Sequence, residues 1–172
     1  MRRSCLFFIF GLAVLWTLPT FSLAGTLDPP MSGTLSDTQR FVVVMDGMGV
    51  LDNETGLTWQ LSPITTTKNW SEARVQCIVN TAISNRRGWR LPAINELSSL
   101  LDTANTNPAL PTGHPFTNIV NGIYWSISTN PDNPAEAWWA NLGTGAVLLS
   151  HKWNNQYHTI CVRGGSPGPV DY

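Results

Sequence analysis

The chain is predicted to fold as an α+β domain with antiparallel sheets, two short helices and one long-range disulfide. Three observations carry that expectation. β-branched and alternating runs lie towards both ends, two segments with helical spacing lie between them, and two cysteines remain once an export signal is set aside. Strands, then helices, then strands is the segregated order of an α+β domain; a parallel sheet would alternate the two.

The first 24 residues read as an address. Arg2 and Arg3 open it, Leu6 to Leu18 is a short apolar run, and Ser22-Leu23-Ala24 offers small residues to a signal peptidase before Gly25. Interrupted by Pro19, the run is too short to span a membrane. Residues 25–39 hold Pro, Gly, Ser, Thr and Asp with little to bury, and read as a flexible lead. Residues 40–165 form the domain, and 166–172 a flexible tail. A mature chain of about 150 residues is the size of one domain with a real core.

Composition narrows the function. Charged residues make up 12% of the chain, and the formal charge moves from −1 to −3 when Arg2 and Arg3 leave. Nucleic-acid binding needs clustered cations to displace counterions. The single basic cluster, Arg86-Arg87-Gly88-Trp89-Arg90, reads as a solvated loop.

Cys77 and Cys161 survive export, and an exported chain with two cysteines most simply forms one disulfide. A redox pair or metal ligation is the rival reading. Both rivals are weaker, since there is no CxxC and no His at ligand spacing from either cysteine. The bond would close a loop of roughly 85 residues, worth about 4–5 kcal/mol by chain entropy.

The elements follow in order. Arg40 to Met45 is β-branched and apolar, Asp46-Gly47 is a turn, and Gly49 to Asp52 pairs back. After the turn Asn53 to Gly56, Leu57 to Leu61 alternates as a third strand. Asp52-Asn53-Glu54 lacks the ligand series of a calcium loop and is read as turn chemistry. Asn69 is a good N-cap, with Glu72 three residues on completing a capping box. Trp70, Ala73 and Cys77 then lie on one stripe, with Ile78 adjoining. The second helix is expected from Pro92, at the first helical position, to about Thr103. Ile94, Leu97 and Leu101 form its apolar stripe, widened by Leu100. Asn105 to Gly122 is a long loop, packed by its own side chains or carrying function. Strands follow at 123–128, 137–142, 146–150 and 158–163.

No arrangement makes a convincing enzyme. Gly-x-Ser-x-Gly, His-Glu-x-x-His and P-loop motifs are absent. His114, His151 and His158 are spread over loop and strand. Glu72 reads as a cap, and Glu96 as a partner for Arg90 across the strand–helix joint. No catalytic residue, metal ligand or cofactor is assigned. The aromatic content is the better lead, because rings stack on the C–H faces of sugars while amides bind hydroxyls. Trp59, Trp70, Trp89 and Trp125 are assigned to packing. Trp138 and Trp139 are neighbours on one strand, so they point to opposite faces. His151 to His158 combines two aromatics, amides and a lysine in a loop, the composition of a polar recognition surface. The expected ligand-binding set is therefore Lys152, Trp153, Asn154, Asn155, Gln156 and Tyr157, with Trp138, Trp139 and Asn141 beside it.

The residues also carry a family. Asp52 to Trp59, Trp70-Ser71-Glu72-Ala73 with Cys77, and Trp89-Arg90-Leu91-Pro92 with Glu96-Leu97 resemble the Lcl C-terminal domain, also called DUF1566. Tyr124-Trp125-Ser126 and Cys161-Val162-Arg163-Gly164 continue the pattern in the same order. The resemblance covers Arg40 to Gly165. It implies a C-type lectin-like fold, in which a first-helix cysteine is joined to one on the last strand, as Cys77 and Cys161 would be. The family's named example ends a collagen-like adhesin that binds sulfated glycans; this chain has no collagen repeats. Formylglycine-generating enzymes share the broad fold but need reactive thiols, which a Cys77–Cys161 disulfide would not leave. The calcium site of true C-type lectins would need Glu-Pro-Asn or Gln-Pro-Asp before Trp-Asn-Asp, and only Trp153-Asn154-Asn155 is present. The expectation is an exported, periplasmic or secreted bacterial monomer without a membrane span. Its role would be non-catalytic recognition of a sulfated or other glycan or a cell-surface partner. The alternative is an accessory module docking on an envelope protein without binding sugar.

Overall fold

The computed structural model describes Leu35, residues 37–79, Ile83 and residues 85–164. The expected export signal, most of the lead and the tail lie outside these residues. Asp37–Arg40 forms one helical turn, α1, so Arg40 ends a helix where the sequence suggested the start of a strand.

Strands β1 (Phe41–Val44), β2 (Gly49–Asp52) and β3 (Leu57–Gln60) make an antiparallel meander. Its first turn places Met45, Asp46 and Gly47 at positive φ, the geometry for which Asp-Gly is a signal. The second turn is closed by the buried Asp52 carboxylate, which accepts the Glu54 N–H at 3.0 Å. Arg40 grips the same carboxylate at 3.0 and 3.1 Å and reaches Glu54 at 3.1 Å. These acidic side chains thus serve the turn and its ion pairs.

Helix α2 (Trp70–Val79) begins as its spacing predicts. Asn69 Oδ1 accepts the Glu72 N–H at 3.0 Å, and Glu72 returns a carboxylate to the Asn69 N–H at 3.2 Å. Trp70, Ala73 and Cys77 are buried, but Ile78, expected to join them, is exposed. Helix α3 (Ile94–Ser99) is shorter than its apolar pattern. Ala93 is the N-cap, so Pro92 lies outside the helix and not at its first position. At the other end the Leu100 and Leu101 N–H groups bond three residues back, and the Asp102 N–H is taken by the Ala109 carbonyl. The last turn tightens and the chain leaves before Thr103.

The second sheet is antiparallel: β4 (Ile123–Thr129), β5 (Glu136–Asn141) and β6 (Val147–His151), with β5 central. The last strand, β7 (Val162–Arg163), is shorter than the 158–163 expected and joins the first sheet beside β3. His158 and Tyr157 make isolated bridges instead, to Tyr124 and Lys68. The chain is thus mixed α+β with two antiparallel sheets.

Two apolar clusters fill the described residues. One holds Trp59, Leu97, Leu100, Leu142 and Ile160; the other holds Trp70, Trp89, Trp125, Trp139 and the cysteines. The four tryptophans assigned to packing are all buried. The 105–122 loop contributes Leu110 and Phe116 to the first cluster, so it is packed by its own side chains. Cys77 and Cys161 are bonded, Cα atoms 5.5 Å apart across 84 residues, fixing α2 to the strand entering the first sheet. Among the described residues no helix is long and apolar enough to cross a membrane.

Candidate functional site

The turn after β6 is built by alternation. Lys152 points inward and is only 7% exposed. Its N–H donates to the Ala135 carbonyl at 2.9 Å, and its own carbonyl accepts the Trp70 N–H at 3.2 Å. Its ammonium donates to the Pro134 carbonyl at 2.7 Å and Thr129 Oγ1 at 2.9 Å, and lies 4.2 Å from the Trp70 ring centroid. Burial, with the Arg74 charge adding to it, holds the Lys152 pKa below its ordinary value.

Tyr157 closes the turn in the same way. Its ring lies 4.5 Å from Trp125 and 6.0 Å from Trp139, and its hydroxyl is 2.9 Å from that of Ser150. The Tyr157 and Lys68 backbones exchange two hydrogen bonds of 2.9 Å. Between these anchors Trp153 projects outward, 64% exposed, with Asn154 and Gln156 also exposed. The Asn155 amide donates to the His151 carbonyl at 3.1 Å and stiffens the turn. A large ring is thus presented on a backbone already fixed at both ends.

The structure divides the predicted ligand-binding set. Trp153, Asn154, Asn155 and Gln156 share the tip. Lys152, Tyr157 and Trp139 are not presented there, because each is drawn into packing: Trp139 is buried and donates its indole N–H to Ser150 Oγ at 2.9 Å. Trp138 is half-buried in mid-strand opposite Leu149. Asn141 lies at the far end of β5, where its Oδ1 accepts the Gly143 and Thr144 N–H groups at 2.8 and 3.2 Å. Glu136 pairs with His151 and Ala140 with Val147. Asn141 is therefore roughly 17 Å, at about 3.4 Å per residue, from the strand end that leads into the tip.

A second feature was missed from sequence. A cleft of about 750 Å³ opens beside Lys152, with Trp70, Arg74 and Ile78 on one wall and Ile127 and Pro134 among the residues facing them. Trp70, Arg74 and Ile78 are four residues apart, so they form a second stripe along α2 next to the buried one. That spacing was a usable signal; the burial of Lys152 had none. Arg74 stacks on Trp70 at 4.8 Å. Arg90, also at the cleft, is held by Glu96. Among the described residues no three His, Cys, Asp or Glu side chains gather as a metal would require.

Residues 48–163 match the family model for the Lcl C-terminal domain. The chain belongs to that family. A comparison with curated proteins returned no match. The Lcl C-terminal domain match runs from the first turn of the meander to β7 and so takes in the bonded cysteines, the cleft and the Trp153 tip.

Proposed function

We propose that this Lcl C-terminal domain is an exported, non-catalytic binding module that recognises a glycan, sulfated or neutral, or a cell-surface partner, in an adhesion-type role. The observation that carries the reading is Trp153, exposed on a turn anchored by Lys152 and Tyr157 and flanked by exposed amides. A ring held in place stacks on a sugar face with little ordering cost, and neighbouring amides supply donors and acceptors for hydroxyls. We read the fold as C-type lectin-like, a reading supported by the two antiparallel sheets and by the bond from Cys77 on α2 to Cys161 beside the final strand. Export to the periplasm or beyond is supported by the Cys77–Cys161 bond, which persists in oxidising compartments, and by the N-terminal apolar run. The protein acts as a monomer.

A second reading rests on the outer face of α2. Val75, Ile78 and Val79 are all exposed there. Such a face suits an accessory module docked on an envelope protein. A glycan array run with and without chelator separates the two. Saturable binding that survives chelator supports the first reading; no binding to any glycan favours the second; binding lost with chelator requires a bound cation and overturns the cation-free form.

A further inference from the structure

The cleft walled by α2 carries an uncompensated positive charge over an apolar floor. Three cations among the described residues reach it, but they are not equivalent. Arg90 has both carboxylate oxygens of Glu96 at 2.6 and 2.7 Å and also donates to the Gly164 carbonyl, so its charge is neutralised and its fork is filled. Two Lys152 protons are taken by Thr129 and Pro134, and its ammonium sits over Trp70. Arg74 differs: its buried Nε has no hydrogen-bond partner, and it has no carboxylate within ion-pair distance among the described residues. Among the described residues no carboxylate lines the cleft.

We propose that this cleft binds a small organic anion: one carboxylate or sulfonate group on a flat apolar body, the anion on Arg74 and the body against Ile127 and Pro134. The guanidinium fork matches both oxyanions, and Lys152 adds field without a free fork of its own. Among the described residues, six apolar side chains but only Thr129 and Asn130 as neutral polar ones line the space, so it fits a ring better than a hydroxyl-rich chain. The volume is within the usual range for a compact ligand. Trp153 does not line the cleft, so the inference stands apart from glycan recognition at the tip.

The test is calorimetry on the oxidised full chain with naphthalene-2-carboxylate, naphthalene-2-sulfonate, naphthalene-2-methanol and inorganic sulfate. The two organic anions bind saturably, one per chain, and their ratio tells which oxyanion is preferred. The neutral alcohol and inorganic sulfate each bind at least about tenfold more weakly. Arg74→Gln weakens the anions by about tenfold or more and leaves the alcohol unchanged. Ile78→Glu, at a position 62% exposed and tolerant of charge, places a carboxylate at the rim and has the same effect on the anions with an unchanged melting temperature. Trp153→Ala binds them as the wild type does, so failure at the tip and failure at the cleft are read separately. An alcohol as tight as the anions, variants that bind like wild type, or no saturable binding would each overturn the proposal.

Discussion

The guanidinium of Arg90 lies 2.7 and 2.6 Å from the two carboxylate oxygens of Glu96, closing a fork across the joint between a bridging segment and α3. The Arg90 backbone is bonded to Val162 in both directions, and Glu96 also accepts the Ala93 N–H at 2.7 Å. One ion pair therefore ties the start of α3 to the last strand. Both side chains are partly screened, at 27% and 14% exposure.

Removing the fork strands a half-buried carboxylate. Arg90→Ala is expected to lower unfolding free energy by about 1–3 kcal/mol, with a fall in melting temperature of roughly 4 °C per kcal/mol. Arg90→Lys restores only part, because an ammonium cannot span both oxygens. Urea titrations of both variants with Glu96→Ala in a double-mutant cycle check this; an unchanged midpoint for Arg90→Ala contradicts it.

The staple makes a larger contribution. The Cys77→Ala/Cys161→Ala variant frees a chain segment spanning 84 residues in sequence and is expected to lose about 3–5 kcal/mol. Both cysteines are fully buried, so a reductant acts on the native protein only at the rate at which it opens. Guanidinium denaturation of oxidised protein against the double variant gives the difference, and coincident curves would refute it.

Acid should weaken the fold before the carboxylates titrate. Burial holds both His114 and His158 below the ordinary 6.5, with a backbone hydrogen bond to Thr65 partly opposing this at His158. Well above pH 6.5 both rings are neutral whether folded or unfolded. As pH falls through that value the unfolded chain takes up protons that the folded chain refuses, and stability falls until the depressed folded values are passed. Melting temperature is expected to drop between about pH 7 and pH 5.5, and His158→Gln to flatten the drop. A flat wild-type profile over that range would be inconsistent with it.

Local chemistry was legible in the sequence, and long-range assembly was not. Asn69 and Glu72 announce the α2 start because a capping box is a four-residue device. Asp46-Gly47 announces its turn because few residues tolerate positive φ. The Arg90–Glu96 pair was legible because both flank one joint. The α3 boundary was misjudged because a pull from Ala109 on the Asp102 N–H decides it, and Ala109 lies in a loop with no pattern of its own. At the candidate site, composition pointed to the turn whose tip holds Trp153, Asn154, Asn155 and Gln156. Lys152 was placed on the surface with them because lysine is almost always solvated. Its burial depends on Trp70, Thr129 and Pro134, from three other stretches of chain. The cleft escaped notice for the same reason.

The anchored Trp153 tip is the centre of the functional account, and one comparison bears on it most directly. Trp153→Ala and Trp138→Ala should be run beside wild type on the same glycan array, with matching melting temperatures confirming that each is folded. The account predicts a loss of about tenfold or more for Trp153→Ala and little change for Trp138→Ala. Wild-type binding by folded Trp153→Ala would contradict it.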